Sequence, residues 1–114
     1  MIYSLKYTNN VKKDFAGQTK LWFIKIRPQY ESDIGLLEHE KCHVKQFWQT
    51  FGFHGILYLF SKNYRLDAEI EAYKIQLEYA PLDLKDIIRV KFTNRIATKY
   101  NLKISEKEAH RLLY

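Results

Sequence analysis

Leu36-Leu37-Glu38-His39-Glu40-Lys41-Cys42-His43-Val44-Lys45-Gln46-Phe47 decides how the rest of the chain is read. The stretch is strongly helical in pattern and contains His39-Glu40-x-x-His43. Residues four apart in an α-helix stand on one face, so the rings of His39 and His43 can converge on a single metal ion. Glu40 points about 100° further round the helix, where it can reach a water at that ion without taking a ligand position.

A helical wheel sharpens the assignment. With His39 at 0°, Leu36, Leu37, Val44, Phe47, Trp48 and Phe51 fall roughly between 60° and 180°, the face expected to be buried. Glu38, Lys41, Lys45 and Gln49 make the wet face, and the two histidines sit on its border. Glu40 falls inside the apolar arc, where a carboxylate is costly unless something pairs with it or uses it. The motif arises by chance in roughly one chain in a hundred of this length and composition. The ordinary alternative is two border histidines beside a satisfied glutamate.

Working outward, 114 residues with 46% hydrophobic content fit one compact domain, residues 1–114, with room for a real core but not for a second domain. Nine Tyr, seven Phe and two Trp suit a small core that must obtain much burial from few side chains. The net charge of +6 is spread along the chain with acidic residues interleaved, the pattern of a solvated surface. The single cysteine, Cys42, excludes an internal disulfide. The wheel puts it away from the core, as a free thiol beside the site rather than a ligand. The N-terminus lacks the pattern of an export signal and no stretch approaches a membrane span, so the expected location is the cytoplasm, with no membrane partner.

Ile2 to Tyr7 and Lys20 to Arg27 alternate and read as strands forming a hairpin or part of a small sheet. Gly17 falls in their connection. Pro28 stops the second strand, and Ser32 or Asp33 can cap the motif helix, which should run to about Phe51. Gly52 and Gly55 bracket a turn, and a short apolar helix is expected from about His54 to Ser61. Asn63-Tyr64-Arg65 reads as a break, with Asp67 capping a helix over about Ala68 to Tyr79. A helical stripe follows from Leu84 to Tyr100, and Ser105-x-x-Glu108 is a capping box for a last helix. The fold class is α+β, a small N-terminal sheet or hairpin packed on a mainly helical domain.

A catalytic zinc normally takes three protein ligands and leaves one position open. The three-histidine version would need a histidine where this chain has Gln49, and is excluded. His54, Glu69, Glu71 and His110 remain. On the wheel of the Ala68 to Tyr79 helix, Glu69 borders the face formed by Leu66, Ile70, Tyr73 and Leu77, whereas Glu71 and Glu78 project into solvent. Glu69 is therefore the preferred third ligand. His54 stays in reserve, as a ligand or as a donor near the bound water, and His110 reads as a helix-surface residue.

Leu37-x-His39-Glu40-x-x-His43-Val44-x-Gln46, followed after a loop by Glu69-x-x-Ala72, resembles the gluzincin branch of the zincin metallopeptidases in its minimal form. It is especially similar to small zincin-like proteins of phage and bacterial genomes, in which a helix bearing Glu-x-Glu-Ala-aromatic follows the motif helix. The resemblance covers about Ile24 to Tyr79. It implies a Zn2+ ion held by His39, His43 and Glu69, and a peptide or protein substrate that can pair with the strand around Trp22 to Ile26 if that strand lies at the sheet edge. One departure is Tyr73, which stands four after Glu69 where many gluzincins carry an acidic residue supporting the site.

The expected chemistry is zinc-dependent peptide hydrolysis, with Glu40 as general base and His54, Tyr64, Arg65 or Tyr73 as candidate stabilisers of the oxyanion. The first alternative is a zinc-binding structural or interaction domain of a phage or bacterial assembly that keeps the metal cage without turnover. The second is a nucleic-acid module using Lys85, Arg89, Lys91, Arg95 and Lys99. Asp86 and the apolar stripe dilute that patch, so nucleic acid is not the expected partner.

Overall fold

In the computed structural model, which describes residues 1–114, three short strands form one sheet: β1 (Ser4–Tyr7), β2 (Gly17–Lys20) and β3 (Phe23–Ile26), in the order β1-β3-β2. β1 runs parallel to β3, and β2 antiparallel to it. Three points differ from the sequence reading, the first being that Gly17, expected in the connection, opens strand β2. The stretch from Lys20 to Arg27 is not one strand, because a two-residue turn at Leu21-Trp22 divides it and Leu21 there takes φ 56°. A leucine in the left-handed region gives no turn signal of the kind Asn or Gly would give. The β3 strand is also the central strand, so the strand from Trp22 to Ile26 has no free edge for a peptide, and the edge near the motif helix belongs to β2.

Helix α1 (Ile34–Gln49) carries the motif. Of the two cap candidates, Asp33 does the work: its carboxylate accepts from the Leu36 amide at 3.0 Å. Leu36 and Val44 of α1 are buried against Ile24 and Ile26 of β3, but the expected arc fails at its C-terminal end, where Trp48 is 42% exposed and Phe51, beyond the last helical residue, is 91% exposed. The chain reverses at Phe51-Gly52, where Gly52 takes φ 87°. Gly55 belongs to the next helix, α2 (His54–Phe60), rather than to the turn.

Helix α3 (Lys62–Glu78) begins well before the expected Ala68. Asn63, Tyr64 and Arg65 are helical, and the cap is Ser61, whose hydroxyl accepts from the Tyr64 amide at 3.1 Å. What holds this first turn is tertiary. Arg65 donates to the carbonyls of Tyr58, Leu59, Tyr100 and Asn101, tying the end of α2 and the loop after α4 (Lys85–Lys99) to the start of α3. The last helix, α5 (Glu106–Leu112), has the expected capping box, with Ser105 accepting from the Glu108 amide.

α1 and α3 pack antiparallel. Gly35 near the start of α1 meets Gln76 and Tyr79 near the end of α3, and Gln46 near the end of α1 meets Ala68 near the start of α3. A second core lies on the far side of α3, where Tyr73 and Leu77 join Phe92, Ile96, Leu102, Ala109 and Leu113. Each large aliphatic chain fully buried there stabilises the fold by about 1.5–3 kcal/mol. His39, His43 and Glu69 lie between the two cores, at the α1–α3 seam. No helix is long and apolar enough to cross a membrane.

Candidate metal centre

His39 and His43 are buried on the face of α1 turned toward α3, and Glu69 of α3 is buried opposite them. The Nε2 atoms of the two rings are 3.3 Å apart. Glu69 Oε1 lies 3.4 Å from His39 Nε2, and Oε2 lies 3.3 Å from His43 Nε2. The two rings are approached by different carboxylate oxygens, and one donor atom from each residue makes a triangle with all three atoms within 4.8 Å of one another. Tetrahedral bonds of 2.0–2.1 Å put neighbouring donors about 3.3–3.4 Å apart, a spacing that the two Nε2 atoms and each ring with its nearer carboxylate oxygen match pair by pair. Among the four candidates from outside α1, His54, Glu69, Glu71 and His110, Glu69 is the one the fold brings to both rings.

The environment of the triangle also suits a cation. Glu69 Oε1 is buried with no hydrogen-bond partner, and a carboxylate oxygen in that state is costly unless positive charge faces it. Burial works to raise the pKa of Glu69, but the charges and hydrogen bonds of His43 and His39 outweigh it and hold the carboxyl well below its usual range. For His43, burial opposes the charged ring, and the Glu69 carboxylate overrides it, raising the group to about 9 without metal. The three residues could hold a divalent ion, which would take the place of the proton now shared among them.

The back of His43 is fixed by a chain of polar contacts that the sequence did not reveal. Gln46 Nε2 donates to the Ala68 carbonyl at 3.1 Å and to Glu71 Oε1 at 2.8 Å. Its Oε1 therefore faces His43 Nδ1, 2.8 Å away, and accepts from it. This places the proton on Nδ1 and leaves the Nε2 lone pair for the ion. Glu71 is exposed as the wheel required, yet it is not an idle surface acid, since it also accepts from Lys45 at 3.2 Å. Cys42 departs further from expectation. It is buried, not turned away from the core, because α3 covers that flank of α1. Burial together with the Glu71 charge pushes its thiol up to about 12.

Tyr58 is a site residue that the sequence reading missed. Its hydroxyl donates to Glu69 Oε2 at 2.5 Å, and burial, reinforced by the Glu69 charge, keeps the phenol protonated. It stands four residues after His54 on α2, and that same-face spacing was the available signal. His54, the reserve ligand, is not in the triangle. Its ring lies 5.9 Å from that of His43, centroid to centroid, and its Nδ1 is 2.6 Å from the Tyr64 hydroxyl. Burial, with the charge of His43, lowers His54 to about 4. Tyr73 stacks edge-on against His39 at 4.5 Å, while the Arg65 guanidinium is taken up by backbone carbonyls.

Glu40 points the other way round α1, toward the sheet. Thr19 of β2 donates to its Oε1 at 2.9 Å, which accounts for a carboxylate inside the apolar arc. Oε2 has no partner on the protein, and Glu40 lines a cleft of about 460 Å³ together with His39, Gly17 and Tyr73. Gly17 has a specific reason to be glycine: a Cβ there would sit 3.2 Å from the Lys25 carbonyl and 3.5 Å from Glu40 Cγ. Comparison with protein-family models, curated proteins and solved structures found no match for the chain.

Proposed function

We propose that the protein is a zinc-dependent hydrolase of the minimal zincin kind that cleaves peptide bonds. The observation that supports this best is the division of labour on α1. His39 and His43 face Glu69, while Glu40 is anchored by Thr19 with its second oxygen free in a cleft that His39 also lines. A cage that only held a metal would gain nothing from a buried, cleft-facing carboxylate beside it.

His39, His43 and Glu69 would hold the ion, which when bound acidifies water and polarises a carbonyl. The residues supply the remainder. Gln46 keeps the proton of His43 on Nδ1, and Tyr58 orients the Glu69 carboxylate. Thr19 fixes Glu40 Oε1, so that Oε2 takes the proton from the attacking water and passes it to the leaving amine. Tyr73, adjacent to His39, is the best-situated of the candidate oxyanion donors. The free edge of β2 runs beside Glu40, and an extended peptide adding to that edge would bring its carbonyls past the site.

The test is a paired measurement on wild type and Glu40→Gln. Metal analysis should find one zinc per chain in both, and cleavage of a fluorogenic peptide mixture should fall by about 10²–10⁴-fold in the variant. Equal cleavage by both proteins, or a purified protein that takes up no zinc, would sink the proposal. Zinc uptake with no cleavage by the wild type would favour the structural-domain alternative.

A further inference from the structure

The cleft holds a second polar cluster around Arg95, whose members other than Tyr73 have no part in peptide hydrolysis as described. Arg95 of α4 donates through Nε to the Tyr73 hydroxyl at 3.2 Å and through Nη2 to the Asp14 carbonyl at 3.3 Å. Its guanidinium lies over the ring of Phe15, 5.0 Å from the centroid. The third nitrogen, Nη1, has no acceptor on the protein, and no carboxylate lies within ion-pair distance. The hydroxyls of Tyr73 and Tyr100 are 2.6 Å apart. Two hydroxyl protons share that single bond. Whichever phenol donates, the proton of the other has no acceptor on the protein.

Arg95 itself has no acidic partner, although Glu40 lines the same cleft and the charge of Glu69 is felt by both phenols. Arg27, which also lines the cleft, is consumed by the carbonyls of Phe15, Asn9, Val11 and Lys12. Asp33 is occupied as the cap of α1, Asp14 turns its carboxylate toward Lys99 at 4.0 Å, and Lys91 lines the same cleft. A half-buried guanidinium with a free N–H, beside a phenol with a free O–H, is a donor set without a matching acceptor. Planar carboxylates are the substrate groups that such a fork fits.

We infer that Arg95, with Tyr73 and Tyr100, forms a subsite that binds a carboxylate of the substrate close to the bond being cut. The inference rests on the hydrolase reading for its meaning, since Tyr73 connects the cluster to His39. The carboxylate is either the free C-terminus of a peptide or the side chain of an acidic residue, and both present the same two oxygens. A purely structural Arg95 would use Nε to hold Tyr73 and Nη2 to hold the Asp14 loop, and would be indifferent to the charge of the ligand.

The test is binding, not turnover. Zinc-loaded Glu40→Gln protein is titrated by NMR with N-acetyl-Ala-Phe-Ala as the free acid and as the amide, and with N-acetyl-Ala-Asp-Ala amide against its Asn counterpart. The expected result is a preference of about tenfold or more for the acid in one of these pairs, which also identifies the source of the carboxylate. Arg95→Met should erase that preference, Arg95→Lys should keep only part of it, and Tyr100→Phe should reduce it while leaving zinc content and melting temperature near those of the parent. If Arg95→Met does not fold, the Lys and Phe variants carry the comparison. No preference in either pair, or a preference untouched by every variant, overturns the subsite. Arg95-dependent acid binding by a protein whose wild type cleaves nothing would keep the subsite and remove the hydrolase. Cleavage of acid and amide peptides alike would do the reverse.

Discussion

Gln46 Oε1 sits 2.8 Å behind Nδ1 of His43, three residues earlier on the same helix, and decides which nitrogen of that ring is free for a metal. The amide cannot turn over, because its nitrogen is held by the Ala68 carbonyl and Glu71. Gln46→Leu should lower zinc affinity by about 10–100-fold, the usual effect of losing the partner behind a histidine ligand. It should also lower stability by about 1–3 kcal/mol, since the Ala68 carbonyl loses a buried donor. Competition with a chromogenic chelator reads the first effect and urea unfolding the second. Unchanged zinc affinity would mean that the amide does not set the ring.

Zinc uptake should release protons in a defined pH range. His43 is raised from 6.5 to about 9 in the metal-free protein, so at pH 7 its ring is protonated and must lose that proton to bind the ion. Calorimetric titrations at pH 7 in buffers of different ionisation enthalpy should reveal close to one proton released per zinc from this residue. The release should vanish above about pH 9. A binding enthalpy independent of buffer at pH 7 would contradict the assignment.

The same pair shapes the stability of the metal-free protein. The raised His43 contributes stability that is complete below its ordinary value of 6.5 and fades as pH rises through about 9. Glu69 is depressed, so its contribution is complete above its ordinary value of 4.5 and is lost as pH falls toward its lower folded value. Melting temperature in excess chelator should therefore peak between about pH 4.5 and 6.5 and decline toward pH 9. Glu69→Gln should flatten that decline.

Gly35 lets α1 and α3 approach. An added Cβ would meet Gln76 Cγ, the Gln76 carbonyl and Tyr79 Cβ, all at 3.3 Å. In an exposed helix, Gly to Ala would gain about 1 kcal/mol. Here three close neighbours, one of them backbone, must give way, and the cost of overpacking is about 1–3 kcal/mol. Gly35→Ala is expected to lower stability by about 1 kcal/mol, and to weaken zinc binding severalfold by spreading the helices that supply the donors. A raised melting temperature would show that the seam has slack.

Cys42 should resist alkylation in the native protein. Its burial and its thiol near 12 both oppose the thiolate that reacts. Iodoacetamide labelling at pH 8 should be at least about tenfold slower than in denaturant, in proportion to the thiolate fraction. Rapid native labelling would place the thiol outside the α1–α3 seam.

Legibility varied from element to element for physical reasons. The motif helix could be read because its apolar period, its cap and the i, i+4 histidines are all local. The capping box at Ser105 was legible on the same ground. The β2 strand was not, since Gly17-Gln18-Thr19-Lys20 has no apolar alternation and its turn uses a leucine with positive φ. The start of α3 was misread at Asn63-Tyr64-Arg65, because Arg65 secures that turn through carbonyls on two other segments.

The sequence by itself determined the α+β class, the helix bearing His39, Glu40 and His43, and the candidacy of Glu69, since each follows from periodicity along one chain segment. Only the tertiary structure decided that donors of His39, His43 and Glu69 gather within 4.8 Å of one another, that Thr19 anchors Glu40, and that Gln46, Glu71 and Tyr58 support these three residues. Those relations join residues on different elements. Distances across a seam depend on how two helices pack, which here turns on a glycine facing a neighbouring helix and on hydrogen bonds that no single segment contains.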